Sequence, residues 1–285
     1  MHDIVLSASR RTDIPAFHMP WFMEGIARGE FDVVNPFSRR VRRVPATSPP
    51  VRVVVFWSKN FGPFLADGWG RRLERMGYHL FFQFTLNSES RLLEPNVPPL
   101  EERLDQLRSL CAAHGPRAVN WRFDPICRFR EGRGPVRDNL QDLPRIAEAA
   151  AACGIRRCTV SFLDLYAKVS RRTAQRQSVA FVEPTRPQQV QILLGIEALL
   201  GARGIRLFTC CEEEVIRALP AGSTVASGAC IPSDLLMELY GGRLSLERDR
   251  GQRVRAGCRC RVSVDIGSYD RHPCGHGCLY CYATP

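Results

Sequence analysis

The sequence predicts an α/β fold, a complete or partial (β/α) TIM-like barrel of parallel strands. Three observations lead there. Short apolar runs of strand length recur along the chain, segments of helical periodicity fall between them, and run after run ends abruptly in charged or amide residues. Alternating strands and helices imply a parallel sheet, and seven or so such units favour a barrel over an open sheet.

In chain order the expected strands are Ile4–Ser7, Val53–Trp57, His79–Thr85, Val119–Phe123, Thr159–Phe162, Ile205–Thr209 and Val262–Ile266. Between the third and fourth, Leu100, Leu104, Leu107 and Cys111 keep an i, i+4, i+7, i+11 stripe that Gly115 stops. Asp142 is placed to cap the helix "LPRIAEAAAAC", which Gly154 ends, and Val190–Leu200 repeats the plan up to Gly204. No internal repeat, low-complexity tract or linker interrupts the pattern, so residues 1–285 read as one domain, with its last strand and loop at 262–285.

The strand ends carry a second signal. "SASRRTD", "FWSKN", "FTLN", "FDPI" and "SFLD" place Arg10, Arg11, Asp13, Lys59, Asn60, Asn87, Asp124 and Asp164 just beyond buried apolar runs. In a barrel these ends share one rim, where active sites are assembled from several strands. Polar residues also begin ordinary loops, but five such ends favour a site. Two further segments add arginines: Arg128, Arg130, Arg133 and Arg137, then Arg171, Arg172, Arg176 and Arg186. Guanidinium forks match phosphate geometry, so an anionic or phosphorylated substrate is expected, against the plainer reading of a solvated basic surface.

Composition narrows the classes. No apolar run approaches the roughly 20 residues that cross a bilayer; "VRVVVFW" is only strand-length. The start, with Asp3 and a short apolar core, is not a secretory signal, so a cytoplasmic protein is expected. In that compartment thiols stay reduced, and 12 cysteines argue for metal ligation over disulfides. The net charge of +11 is weak support for nucleic-acid binding, because arginine supplies nearly all of it. Lys59 and Lys168 are the only lysines, and where arginine serves elsewhere, a lysine suggests a site needing a compact ammonium.

The cysteines form two sets. Cys274, Cys278 and Cys281 are spaced C-x3-C-x2-C after the last strand, with Tyr280 before the third. A structural zinc site wants four protein ligands, whereas three thiolates suit an iron–sulfur cluster with one iron open. The zinc alternative would recruit His272 or His276. Cys211 (or Cys210), Cys230, Cys258 and Cys260 make a second set, enough for an auxiliary 4Fe–4S cluster or a zinc ion. Cys111, Cys127, Cys153 and Cys158 read as small core residues.

This terminal spacing, with "YCYA" at its end, resembles the signature of the radical S-adenosylmethionine (radical SAM) enzymes. "SASRRTDIPAF", "VFWSKN", "WRFDPI", "SFLDLYAK" and "CRCRVSVDIGSYD" together resemble a bacterial family of unassigned function that carries such a cysteine cluster at its C-terminal end. The resemblance implies a 4Fe–4S cluster on Cys274, Cys278 and Cys281, S-adenosylmethionine as cofactor, a 5′-deoxyadenosyl radical and a reductant such as flavodoxin or ferredoxin. In the radical SAM superfamily the cysteine loop follows the first barrel strand; here it follows the last, which implies a circular permutation. The Gly-Gly-Glu segment common in the superfamily is absent, and Gly241-Gly242-Arg243 does not replace it.

On this reading Lys59, Lys168, Asp124 and Asp164 are the catalytic candidates. Tyr280 and Asn60 would contact the cofactor, and Arg10, Arg11 and Asp13 the substrate. The rivals are a zinc-stabilised basic module for nucleic acid and radical-based nucleic-acid repair. No helix-turn-helix or aromatic stacking pattern supports the repair reading.

Overall fold

The computed structural model describes residues 2–34, 38, 40–176 and 179–283. Its centre is an 8-stranded sheet, whose strands we number in chain order. They are β1 (Ile4–Ala8), β2 (Val51–Ser58), β3 (His79–Thr85), β4 (Val119–Ile126), β5 (Arg157–Phe162), β6 (Arg206–Thr209), β7 (Ala226–Ser227) and β8 (Val264–Asp265). Across the sheet they run β7-β6-β5-β4-β3-β2-β1-β8. Every neighbouring pair is parallel. Chain order and spatial order agree except at β8, which returns to lie beside β1 with Leu6 opposite Val264 and Ser7 opposite Asp265. Among the described residues no pairing joins β7 to β8.

Strand alternation divides the sheet into two faces. Leu6, Ala8, Val54, Phe56, Phe82 and Trp121 lie on the side of the helices, in one core with Phe22, Leu107, Ile146 and Leu193. Val5, Val53, Val55 and Phe81 lie on the opposite side, covered by a second core of Ile231, Leu236, Leu244 and the thiols of Cys210, Cys230, Cys258 and Cys260. The segment between β7 and β8 therefore covers the face that the helices leave bare. Two antiparallel pieces stand outside the main sheet: Glu30–Val34 with Val41–Pro45, and Arg128–Glu131 between Val136–Asp138 and Val179–Phe181.

The expected strands and helices are present, with informative differences. The striped helix runs Leu100–His114. The helix expected from Val190 begins at Arg186, where Thr185 and Gln188 form a capping box; its first turn holds no apolar residue to announce it. Asp142 precedes the helix Leu143–Ala152 without capping it, because its carboxylate instead accepts the Glu89 amide at 2.9 Å. The expected Val262–Ile266 strand narrows to Val264–Asp265, since the Arg261 and Val262 amides donate to the Ile231 and Glu247 carbonyls and not to β1. β7, two residues long, carries no apolar run by which to foresee it.

Candidate functional site

Parallel strands end on one edge of the sheet, and there the cysteine loop after β8 meets the segments following β1, β2, β3 and β4. The loop is held from several sides. Asp13 Oδ2 accepts His276 Nε2 at 2.8 Å, and also the Ser58 hydroxyl and the Lys59 amide at 2.9 Å each. Its Oδ1 accepts the Ala16 amide at 3.0 Å, capping the turn Ile14–Phe17. Asn96 Nδ2 donates to the Gly275 carbonyl at 2.9 Å, and the Leu279 amide to Leu93 O at 2.8 Å. Gly277 turns the loop at φ +67°, a conformation that favours glycine. Arg172 Nη1 converges on the carbonyls of Cys278, Leu279 and Cys281, at 3.4, 3.2 and 2.9 Å.

Cys278 is buried, and Cys274 and Cys281 are half-buried. Burial pushes the Cys274 thiol up to about 12, with Asp13 and Cys281 adding to the rise, while backbone hydrogen bonds from Asp13 and His276 oppose it. Burial likewise raises Cys278, although the Lys59 ammonium works against it. The Ala283 amide donates to Cys281 Sγ at 3.3 Å. All three thiols thus sit on one clamped loop.

Beside the loop lies a buried polar network. Lys59 Nζ donates to Glu94 Oε1 at 2.8 Å, with side chains 15% and 3% exposed. Tyr280 Oη and Asn87 Nδ2 donate to the same oxygen. Asn87 Nδ2 also lies 3.1 Å from Tyr280 Oη, and its Oδ1 accepts the Asp124 amide at 2.8 Å. Lys59 Nζ stands 5.5 Å over the Tyr280 ring. Burial opposes the Lys59 ammonium, but Glu94 and then Cys278 outweigh it and raise its pKa. Burial also opposes the Glu94 carboxylate, which Lys59 and Arg103 nevertheless hold below its usual range. Glu94 Oε2 is buried without a hydrogen-bond partner.

Asp124 accepts from Ser161 on one oxygen and from Arg122 on the other. Burial disfavours its charge, yet these partners keep its pKa low. Arg122 reaches on to Cys230 Sγ at 2.6 Å, and its guanidinium and that of Arg10 lie 5.4 and 5.0 Å from the Trp57 ring centroid. Cys210, Cys211, Cys230, Cys258 and Cys260 form a nest at this point. Cys210 Sγ lies 3.7 Å from Cys211 Sγ and 3.5 Å from Cys230 Sγ. The other thiols of the nest influence one another's ionisation: Cys230 and Cys260, Cys260 and Cys258, and Cys258 and Cys211. Cys230 and Cys258 pull the Cys260 pKa down against burial. Among the described residues, no group of three or more His, Cys, Asp or Glu side chains is arranged to hold a metal ion as it stands.

The structure sorts the sequence candidates. Lys59, Asp124, Tyr280 and the three terminal cysteines come together. Lys168 is exposed on the helix Ala167–Arg176, and Asp164 is exposed and paired with Arg253. Asn60 Oδ1 accepts Gln106 Nε2 and the Gly62 amide, shaping a turn. Arg10 and Arg11 turn to Asp265 of β8, and Arg11 Nη1 also donates to the Gly267 carbonyl at 3.2 Å. Both adjacent thiols, Cys210 and Cys211, face the nest. Of the arginine-rich segments, Arg137 pairs with Glu131 and Arg128 donates to Gln188, while Arg172 holds the cysteine loop; the side chain of Arg176 lies outside the described residues. Surface hollows lined by Met237 with Leu244, and by Arg71 with Glu74, lie away from this edge.

Sequence reasoning passed over Glu94, Arg122 and Asp265. Their signals were present: an acid within "LLEPN", an arginine between Trp121 and Phe123 of a buried strand, and an acid inside the last strand.

The protein is thus a parallel α/β sheet with a clamped cysteine loop and a lysine–glutamate pair at its C-terminal edge. The chain belongs to the family described as domain of unknown function (DUF1848), whose model matches residues 5–283. No curated protein matches it. No helix among the described residues is long and apolar enough to cross a membrane.

Proposed function

We propose that this chain is an iron–sulfur enzyme of the radical SAM type, its sheet a partial (β/α) barrel permuted so that the cluster strand comes last. One observation carries the reading. β8 completes the sheet beside β1, so the C-x3-C-x2-C loop leaves a strand end next to the start of the chain, as a permuted first strand would. Cys274, Cys278 and Cys281 would hold the 4Fe–4S cluster, leaving one iron for S-adenosylmethionine. When bound and reduced, the cluster supplies the electron that cleaves this cofactor to a 5′-deoxyadenosyl radical.

The chain's own groups would then do the following. Lys59 keeps an ammonium beside Cys278, offsetting thiolate charge, and Glu94 holds that ammonium in place. Tyr280 is fixed through its hydroxyl to Glu94, so its ring orientation is set before any cofactor arrives. Asp124, kept ionised by Arg122 and Ser161, would act as a fixed negative charge beside the Lys59 ammonium.

Anaerobic reconstitution should give about four irons and four sulfides per chain at this loop, lost in Cys278→Ala. Reduction with S-adenosylmethionine should yield 5′-deoxyadenosine. With cluster content matched, Lys59→Arg should slow this formation, because the larger fork cannot keep both Glu94 and the ring, and Lys168→Arg should leave it unchanged. Iron content untouched by Cys278→Ala would overturn the proposal.

The zinc alternative has one observation of its own. His276 is buried with Nε2 on Asp13 and Nδ1 without a partner, an arrangement in which a carboxylate supports a metal-ligating imidazole. Zinc bound at the loop and released by His276→Ala would favour it.

A further inference from the structure

We propose that the cysteine nest, on the sheet face covered by the segment between β7 and β8, binds a single tetrahedral metal ion of the zinc class, through Cys230, Cys258, Cys260 and one of the pair Cys210 and Cys211. The proposal does not depend on the terminal loop carrying a cluster, because the two sets share no residue.

Spacing is the first argument. Thiolates about 2.3 Å from one ion define a tetrahedron with edges of about 3.8 Å. The 3.5 Å separation of the Cys210 and Cys230 sulfurs matches such an edge. In a 4Fe–4S cubane each thiolate binds a different iron, so ligand sulfurs stand further apart than one tetrahedral edge. Coordination asks for the loss of the thiol protons and for small side-chain rotations.

Backbone conformation is the second. Cys210 and Cys211 follow β6 in a bend. Cys211 takes φ +63°, the one non-glycine positive φ among the described residues, and its Sγ lies 3.7 Å from Cys210 Sγ. Such a conformation is strained for any residue with a Cβ and persists where surrounding structure fixes it.

Charge is the third. Arg122, buried, presents its guanidinium to the nest through its 2.6 Å contact with Cys230 Sγ, and half-buried Arg10, paired with Asp265, lies close enough for Cys260 and Cys230 to raise its pKa further. Arg10 Nη2 is buried with no hydrogen-bond partner. Asp124 and Asp265 each answer one of these guanidinia, and four thiolates on a divalent ion would add net negative charge that two guanidinia on the same side can balance.

The ion would staple three separated stretches: the end of β6, the turn after β7 and the approach to β8. β8 offers only Val264 and Asp265 to the ladder, so the staple supplies the anchorage that strand pairing does not.

The test uses full-length protein with Cys274, Cys278 and Cys281 changed to alanine, expressed with both zinc and iron in the medium. About one zinc per chain and no acid-labile sulfide are expected, falling at least tenfold when Cys258→Ser and Cys260→Ser are added. Iron with sulfide, or no metal in a folded protein, would overturn the proposal. Should the variants fail to fold, zinc-edge X-ray absorption on the parent decides: four sulfur neighbours at about 2.3 Å support it. Fewer sulfurs, or nitrogen and oxygen neighbours in their place, refute it.

Discussion

Glu94 answers two buried cations, and this imbalance sets an order of mutational costs. Lys59 Nζ is 2.8 Å from Glu94 Oε1, and Arg103, also buried, lowers the same carboxylate's pKa. Removing one partner of a buried pair destabilises by about 3–5 kcal/mol, because the other charge is left uncompensated. Lys59→Met leaves Glu94 with Arg103, so its cost should fall near 3 kcal/mol on that scale. Glu94→Gln strands both cations and should approach 5 kcal/mol. In Lys59→Met/Glu94→Gln only Arg103 is stranded, so the double variant should be more stable than the sum of the single losses predicts. Urea unfolding of metal-free protein, followed by tryptophan fluorescence, measures all three. Neutral pH reads the full effect. Glu94's pKa lies below 4.5, so its contribution is present above that value and lost as pH falls through the folded pKa. Lys59's lies above 10.5, so its contribution is present below that value and lost as pH rises through the folded pKa. Single losses under about 1 kcal/mol, or Lys59→Met costing more than Glu94→Gln, would refute the reasoning.

Two further expectations concern the same edge of the sheet. Asp13→Ala removes the acceptor shared by His276, Ser58, Lys59 and Ala16; it should cost about 3 kcal/mol or more and lower iron uptake by the loop, read by unfolding and by metal content. Glu212 accepts the Phe162 amide at 2.8 Å, and burial pushes its carboxyl up to about 7 from 4.5. The folded state therefore holds this proton more tightly, so its stability should decline as pH rises between those values, and Glu212→Gln should flatten that part of the pH–stability curve.

Much of the fold was legible because apolar periodicity and strand ends are local properties. The run of β3 appears in full as "HLFFQFT", and the helix Leu100–His114 is visible from its stripe and its glycine stop. The three terminal cysteines were equally plain, since their spacing lies within one loop. Glu94 was not, because its meaning comes from Lys59, Tyr280 and Arg103, which other segments deliver. Arg10 and Arg11 look alike with Asp124 as polar strand ends, but their partner Asp265 stands on the far end of the chain.

By itself the sequence determined that strands alternate with helices, that their ends gather charged residues and that thiols lie in two sets; each follows from neighbours along the chain. Only the tertiary structure decided which groups meet. Lys59 and Lys168 follow similar strand-end patterns, yet one is buried against Glu94 and the other faces solvent. The return of β8 to the side of β1 joins residues more than 250 positions apart, as at Ser7 and Asp265. Such a contact depends on which sheet edge is free and which backbone donors remain unpaired, and no local pattern encodes either.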